Sequence, residues 1–422
     1  EYLKLKAQIE RDHPEYFALR FQQSTAEIAA IRSNILGSDH SMLQYISTDN
    51  QLYVLVVGPE ESELIQLSKR GLSNMIERYN HFIKHMEVEP FAQVSAALYR
   101  LLFEPIADYI NSTNLLIVPD DDLFSVNFET LIRPSQSKKL QYLIYDYNIS
   151  YLLSATTAVK FNQLQPQNKS GLLAFAPGFS DQLKQSYLDQ SPDTSLFDQH
   201  YLHCIQQPFA VRAAQNVVGL MSGQAFTGSE ATEQQFKERS SQYKVIHLGT
   251  HAQINNDSPM LSRLILAKEA NDSAQSEDGY LHAYEIYNMP LRAELAVLTA
   301  CETGVGQENQ SEGVLSLSHS FTYAGCPSII MSLWQIDEKT SSEIIEDFYE
   351  FLSEGMSKSE ALRQAKLDYL QTADAALAAP YFWAGMVLVG NPTPISSPSH
   401  NVVWWILGLS ISLFLVIAIA RK

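Results

Sequence analysis

Cysteine is scarce in this sequence. The 422 residues include three cysteines, Cys204, Cys301 and Cys326, an odd number with no C-x-x-C pair. This argues against a disulfide framework and against a structural zinc site. The sequence also contains no phosphate-binding glycine loop and no H-E-x-x-H motif. We therefore expect neither a metal ion nor a cofactor.

Positive charge is also scarce. Lysine and arginine number 29 against 47 aspartates and glutamates, which gives a formal net charge of −18. This balance excludes broad electrostatic binding to nucleic acid, and we expect no direct contact with it. It also excludes a polybasic attachment to anionic lipid. The hydrophobic fraction of 45% is ordinary for a globular protein, so the chain is not disordered as a whole.

One long run has no charge at all. Residues 402–420 read VVWWILGLSISLFLVIAIA, which at about 1.5 Å per helical residue is long enough to cross a bilayer. A buried core helix is the weaker interpretation, because such a helix rarely lacks a polar face. We predict a single C-terminal transmembrane helix, joined to the body by a linker at 393–401. The basic pair after it does not decide which side of the membrane carries the body.

The rest of the sequence divides into three parts. Residues 1–38 favour two helices, the second beginning with the capping box Ser24-x-x-Glu27 and ending at Gly37. Because the chain opens at Glu1 in a helical pattern, we interpret it as a fragment or processed product, and this stub as the possible end of an upstream helical-repeat region.

Residues 39–165 predict a smaller α/β subdomain. Two strands around the turn at 48–50 indicate a hairpin. A helical stretch follows at about 65–110, and then a strand at Leu115–Val118. The aspartates at 120–122 are better interpreted as a solvated turn than as a metal site, because their spacing matches no EF-hand loop.

Residues 166–392 alternate strands with helices, which is typical of a mostly parallel sheet with helices on both faces. In such sheets the chemistry lies at the carboxyl ends of the strands. The predicted strands are Leu172–Ala176, Ala225–Thr227, Lys244–Leu248, Leu295–Thr299, Ser328–Leu333 and Ala384–Val389. The predicted helices lie at about 208–222, 232–240, 313–324, 340–354 and 358–371.

Reactive side chains follow two of these strands. In KVIHLGTHA the strand is followed by a turn that contains His251, and ELAVLTACETGVG places Cys301 directly before a glycine-rich loop. A histidine at the end of a neighbouring strand can deprotonate such a thiol, and the thiolate then attacks a carbonyl. His247 is the next candidate for the base if His251 fails, although its position within the strand favours a role in the core. Gly249 lies between the two histidines in a strand-to-turn segment, which excludes a helical zinc site.

The ordered stretches HLGTHA, GYLHAYEIYNMPLRAELAVLTACETGVG, SEGVLSLSHSFTYAGCPSIIMSLWQID and PYFWAGMVLVGNP resemble the CHAT domain, a caspase-like module often found with TPR repeats. With the upstream LLIVPDDDLFSVNFETLI, the resemblance covers roughly residues 40–392. SEG at 311–313 departs from the GEG usual in the family, and we expect a changed loop there with the fold and the dyad intact. The resemblance implies a caspase-like α/β fold and a cysteine peptidase in a regulated signalling or defence pathway, and the predicted C-terminal helix would anchor it in a membrane. The alternative is a catalytically silent scaffold that binds partners.

The resemblance also implies roles for single residues. Cys301 matches the nucleophile and His251 the general base, and the backbone N–H groups of Cys301 and Ala252 are the expected oxyanion donors. Trp334 and Asp337 are candidates for contact with the substrate's P1 residue. The carboxylate of Asp337 would permit Arg or Lys as that residue without establishing it. The alternative for Asp337 is a helix N-cap. The expected partners are a protein substrate and an upstream activator or sensor.

Overall fold

The computed structural model describes residues 11, 25–136, 139–162, 169, 171–189, 197–268, 277–299 and 311–395, with the backbone alone for 301–302 and 311–315. The predicted transmembrane helix at 402–420 lies outside this range, as do most of the helical stub and most of the linker. Within the described ranges, no helix combines the length and hydrophobicity needed to cross a bilayer.

The helices are α1 (Ile28–Ile31), α2 (Leu72–Lys84), α3 (Val88–Leu102), α4 (Ala155–Asn162), α5 (Asp181–Asp189), α6 (Gln199–His203), α7 (Pro208–Leu220), α8 (Glu233–Arg239), α9 (Ala283–Tyr287), α10 (Ser311–Tyr323), α11 (Glu338–Ser353), α12 (Lys358–Thr372) and α13 (Pro380–Trp383). The strands are β1 (His40–Ser47), β2 (Leu52–Val57), β3 (Ser62–Leu67), β4 (Asn114–Val118), β5 (Asn148–Tyr151), β6 (Leu172–Ala176), β7 (Gln224–Thr227), β8 (Val245–Leu248), β9 (His251–Gln253), β10 (Arg263–Ile265), β11 (Tyr280–His282), β12 (Leu295–Leu298), β13 (Cys301–Glu302), β14 (Ser328–Ser332) and β15 (Met386–Gly390).

One large sheet carries eleven of these strands, in the order β3-β2-β1-β4-β5-β15-β14-β12-β8-β6-β7. The strands β1, β4, β5 and β15 run parallel to one another, and so do β14, β12, β8, β6 and β7. The antiparallel pair β14 and β15 joins these two groups. The prediction of an α/β protein with a mostly parallel sheet is therefore confirmed.

The hydrophobic core is continuous across the antiparallel pair β14 and β15. Leu115 in β4 and Val297 in β12 are both fully buried and belong to one cluster of apolar side chains. Among the covering helices, α11 buries Ile344, Phe348 and Leu352, which lie on one helical face, while Phe351 is only half-buried. The continuous core makes a rigid base for the strand ends.

A second, smaller sheet lies beyond those strand ends. Its four short strands run in the order β11-β10-β9-β13. The chain passes from β8 into β9 through residues 249–250, and from β12 to β13 across 299–300. His251 and Cys301 are the first residues of β9 and β13, so the small sheet holds both residues of the predicted dyad.

Most of the predicted elements are present, and those of residues 166–392 end within two residues of the predicted positions. The hairpin of β1 and β2 and all six strands predicted in the C-terminal part are confirmed. The helical stretch predicted at about 65–110 was wrong at its start, because Ser62–Leu67 forms β3 and pairs with β2. Leu64 is 61% exposed there. An exposed edge strand lacks the alternating pattern that identifies a strand by sequence.

Candidate functional site

The site begins with two neighbouring parallel strands. β8 and β12 are directly paired, with His247 opposite Val297 and Leu248 opposite Leu298. Parallel strands in register end at the same edge of a sheet. The expectation that the histidine and cysteine strands are neighbours is therefore confirmed.

The small sheet then aligns the two chain segments that leave this edge. β13 pairs with β9 in parallel, and Cys301 lies opposite His251 while Glu302 lies opposite Ala252. Adjacent strands are about 4.8 Å apart. The backbone positions of the predicted nucleophile and base are thus immediate neighbours, although they lie 50 residues apart in sequence.

The imidazole of His251 is held in one orientation. Its Nε2 atom lies 2.7 Å from the carbonyl oxygen of Ile205, and because a carbonyl only accepts, Nε2 carries a proton. The ring packs 5.0 Å, centre to centre, from that of Phe179. Among the described groups, the buried Nδ1 atom has no hydrogen-bond partner. In the neutral ring this leaves the Nδ1 lone pair available to accept a proton.

The surroundings favour the neutral imidazole. Burial lowers the pKa of His251, and although the hydrogen bond to Ile205 opposes this shift, the nearby His200 and Lys184 add to it. The side chain is only 5% exposed. A general base must be deprotonated to act, so this shift is compatible with the role predicted for His251.

The carbonyl of Ile205 belongs to a segment at residues 197–207, which we term the strap. Asp198 caps α6 by accepting from the backbone N–H of Tyr201, and it also accepts from Lys268 and Tyr280. At the other end of the strap, the Gln207 N–H donates to the Gly178 carbonyl over 2.8 Å. The strap is thus tied to the small sheet and to the end of β6, which fixes the orientation of His251.

Sequence reasoning missed the strap. A backbone carbonyl leaves no sequence signal, since every residue has one. The available signal is Asp198 just before a short helical stretch, a residue preferred at helix N-caps.

The other strand histidine, His247, lies in the core. It is fully buried, and its Nδ1 atom is 3.4 Å from the hydroxyl of Tyr349 on α11. Burial lowers the pKa of His247 to about 4. This agrees with its expected role in the core, behind the strand ends.

A family model for the CHAT domain matches residues 92–391. The chain belongs to the CHAT domain family. Tetratricopeptide repeat protein 28 of Homo sapiens is 25% identical over 384 residues, which cover 81% of this chain and 14% of the human protein. The Mus musculus protein of the same name is 24% identical, with 15% of its length covered. This CHAT chain thus spans about a seventh of the curated relatives that it matches.

Two solved structures resemble this CHAT domain at low sequence identity. The separase–securin complex of Saccharomyces cerevisiae gives a TM-score of 0.49 at 11% identity, covering 87% of this chain and 31% of that chain. The Arg-specific cysteine proteinase gingipain R (RgpB) of Porphyromonas gingivalis gives 0.40 at 9% identity, covering 78% and 77%.

The two residues predicted to contact the substrate follow the carboxyl end of β14 in the CHAT domain. Asp337 accepts a hydrogen bond from the backbone N–H of Thr340 over 2.9 Å and caps α11. The half-buried Trp334 donates from Nε1 to the Tyr381 carbonyl, 3.2 Å away. The capping alternative thus accounts for the Asp337 contact. Contact with a substrate stays a prediction for both residues.

Glu338, the residue after this cap, joins two helices. Its carboxylate accepts from the backbone N–H groups of Phe209 and Ala210, at 2.7 and 3.0 Å. These groups lie in the first turn of α7, where backbone N–H groups lack helical partners. The carboxylate therefore fastens α11 to α7.

Ala252, the predicted second oxyanion donor, is 4% exposed. It lies in the middle of β9, opposite Leu264 on one side and Glu302 on the other. It is thus next to the backbone of the predicted dyad, and its role as a donor stays a prediction.

The two remaining cysteines are packing residues. Cys204 and Cys326 are free and buried, at 2% and 0% exposure. Burial raises the pKa of Cys204 to about 11 and that of Cys326 to about 12. Because the thiolate is the reactive form, both are weak nucleophiles at neutral pH.

Three carboxylates, those of Glu233, Glu277 and Glu285, lie close enough together to share a cation. The ammonium of Lys237 bonds to all three, at 2.7 Å from both Glu233 and Glu285. Burial raises the pKa of Glu233 to about 8. The lysine therefore supplies the positive charge that this cluster needs.

Proposed function

We propose that this CHAT domain is a caspase-like cysteine peptidase that hydrolyses peptide bonds of a protein substrate, with Cys301 as nucleophile and His251 as general base. The observation that carries this proposal is the parallel pairing of Cys301 with His251. Support comes from the His251 ring, whose Nε2–H is bound to Ile205 while Nδ1 keeps a free lone pair among the described groups.

The proposed reaction proceeds through a thioester. Nδ1 of His251 takes the thiol proton, and the sulfur attacks the carbonyl carbon of the scissile bond. The backbone N–H groups of Cys301 and Ala252 are the proposed donors to the oxyanion, and losing one such donor costs about 10²–10³ in rate. The C–N bond breaks as the imidazolium returns the proton to the leaving amine. His251 then takes a proton from water, which hydrolyses the thioester and frees the thiol.

The experiment that tests this function uses covalent labelling. The full chain is treated with a set of peptide-based electrophiles, the labelled residue is identified by mass spectrometry, and cleavage is measured on a diverse peptide library. We expect labelling at Cys301, and Cys301→Ala should abolish labelling and cleavage. Cys326→Ala is the matched control and should retain both.

The opposite outcome favours the scaffold. The assay is repeated with the upstream region of a longer relative added as activator. If the wild-type chain is still not labelled and cleaves no peptide, the peptidase proposal is wrong. A catalytically silent CHAT module that binds partners would then remain.

We also propose that residues 402–420 anchor the chain in a membrane as a single-pass helix. The support is the uncharged run itself, with tryptophans at one end. The full chain should stay with membranes after carbonate extraction, whereas a chain ending at residue 395 should be released. Release of both chains would contradict the anchor, and protease protection of the intact membrane would assign the side that carries the body.

A further inference from the structure

One face of the small sheet carries more than the dyad. Directly opposed residues share a face, and so do residues two apart on one strand. His251 is opposite Ile265, and Gln253 is opposite Arg263. Arg263 therefore lies on the same face as His251, about 7 Å further along β9. Because β10 and β13 flank β9 on opposite sides, Arg263 is on the side away from Cys301.

The guanidinium of Arg263 is fixed in place. Its Nε atom donates to Oε1 of Gln253 over 2.8 Å, and its central carbon lies 3.5 Å from the centre of the Tyr280 ring. These contacts use Nε and one face of the plane, and they leave the edge with the two Nη groups. Such an edge is a planar fork that matches a carboxylate.

Arg263 has no acidic partner in the part of the chain that the structure describes. The ion pairs found there join other residues, and the nearby Asp198 pairs with Lys268 instead. The side chain is partly exposed. A cation that is held in place, partly exposed and without an acidic partner among the described residues can bind an acidic ligand.

Cationic side chains lie near the dyad although the whole protein is at −18. Lys184 is close to His251, and Arg263 and Lys268 are close to His200. Burial lowers the pKa of His200; Asp198 opposes this shift, while Arg263 and Lys268 reinforce it. A local cationic region on an acidic protein attracts acidic segments and repels basic ones.

We propose that Arg263 is a specificity-determining residue that binds an aspartate or glutamate side chain of the protein substrate, a few residues from the scissile bond. The role in cleavage rests on the proposed peptidase function, whereas the recognition of an acidic peptide does not. A lysine at this position would supply the positive charge but not the bidentate hydrogen bonding of a guanidinium.

The experiment measures binding without cleavage. The full chain carrying Cys301→Ala is titrated with fluorescent decapeptides in which a single glutamate replaces glutamine at each position in turn, and anisotropy is recorded. We expect glutamate to bind about 10-fold more tightly at one or two positions, as for a charged hydrogen-bonded pair at a partly exposed site. Adding Arg263→Gln should abolish this preference, and Arg263→Glu should transfer it to lysine peptides.

Arg239→Gln is the matched control. Arg239 makes the same kind of contacts, with Nε 2.8 Å from Oε1 of Gln235 and the guanidinium carbon 5.3 Å from the ring centre of Phe226, but it lies beside the edge strand β7. This variant should keep the preference for glutamate. Arg263→Lys, which keeps the charge, should weaken the preference and guards against loss of folding.

The outcomes separate the two proposals. Equal binding of glutamate and glutamine peptides, or a preference that survives Arg263→Gln, overturns acidic recognition even if Cys301 is reactive. An Arg263-dependent preference in a chain whose Cys301 is unreactive supports the recognition and contradicts the peptidase.

Discussion

The Nε2 atom of His251 donates a hydrogen bond to the backbone carbonyl of Ile205, 2.7 Å away and 46 residues earlier in the chain. This contact sets the tautomer of the ring, and Nδ1 is left to act on a thiol. The proposed base therefore depends on how firmly the strap is held, as well as on the pairing of β9 with β13.

The first prediction concerns pH. Burial lowers the pKa of His251, with Phe179, His200, Lys184 and the Ile205 carbonyl around the ring. The alkylation rate of Cys301 should therefore hold from pH 7.5 down to about 6.5, the ordinary histidine value, and fall only below it. The measurement is a pH profile of labelling. A midpoint above 7 would contradict the neutral buried base.

Replacing His251 tests the same prediction, and replacing an unrelated histidine provides the control. His251→Gln should slow labelling by about 10²–10⁴, the usual contribution of general acid–base catalysis. His85 is an exposed histidine directly after α2, and in His85→Gln Cys301 should be labelled at the wild-type rate.

The second prediction concerns the strap. Burial alone would raise the pKa of Asp198, but hydrogen bonds from Lys268, Tyr280 and the Tyr201 N–H outweigh it and lower the pKa to about 2. Since the folded value lies below the unfolded one, the stabilisation is present above about pH 4 and is lost as the pH falls towards 2. Thermal unfolding followed from pH 5 to 2 should show this loss.

In Asp198→Asn that part of the pH dependence should shrink. Labelling of Cys301 should also slow, because the Ile205 carbonyl is less firmly placed. Unchanged labelling would show that the strap does not position His251. Asp189→Asn, at an aspartate in α5 with one hydrogen bond to Gln185, is the control.

The third prediction separates the two roles of Asp337. Asparagine can cap a helix as well as aspartate, whereas alanine cannot. Asp337→Asn should keep the stability of the wild type, and Asp337→Ala should lose about 1 kcal/mol. If Asp337 also binds a basic P1 residue, Asp337→Asn should impair cleavage after Arg or Lys. Equal cleavage by the wild type and Asp337→Asn would leave capping as its role.

The fourth prediction concerns a buried ion pair. Lys366 on α12 bonds to Glu129 at 2.5 Å, with both side chains buried, and it also donates to the Met386 carbonyl in β15. Glu129 follows β4, so the pair ties the first strand group to the last strand and helix. Removing one partner leaves an unpaired buried charge, and Glu129→Gln should cost about 3–5 kcal/mol in urea unfolding.

An exposed pair provides the comparison. Lys339 and Glu343 are 3.9 Å apart on α11 with solvent-exposed side chains, and Lys339→Ala should cost no more than about 0.5 kcal/mol. The double variant Glu129→Gln with Lys366→Met should cost less than the two single changes added together. Equal costs at the buried and exposed pairs would show that burial does not matter here.

Much of the fold could be predicted from local patterns. The run Leu172–Ala176 is apolar throughout and forms a fully buried strand, and Ser357, a residue type preferred at helix N-caps, caps α12 by accepting from the Glu360 N–H. The short strands β9, β10, β11 and β13 could not be found this way. Two or three residues contain no measurable period, and they become strands only by pairing with one another.

The sequence by itself determined that His251 and Cys301 each follow an apolar strand, because a buried strand is recognisable from its own residues. Only the tertiary structure decided that the two residues share one register, that Ile205 orients the imidazole, and that Arg263 joins the same face. The physical reason is that these relationships are backbone pairings and a carbonyl contact between distant segments. Such contacts depend on how the loops close over the rigid sheet, and any residue type can make them.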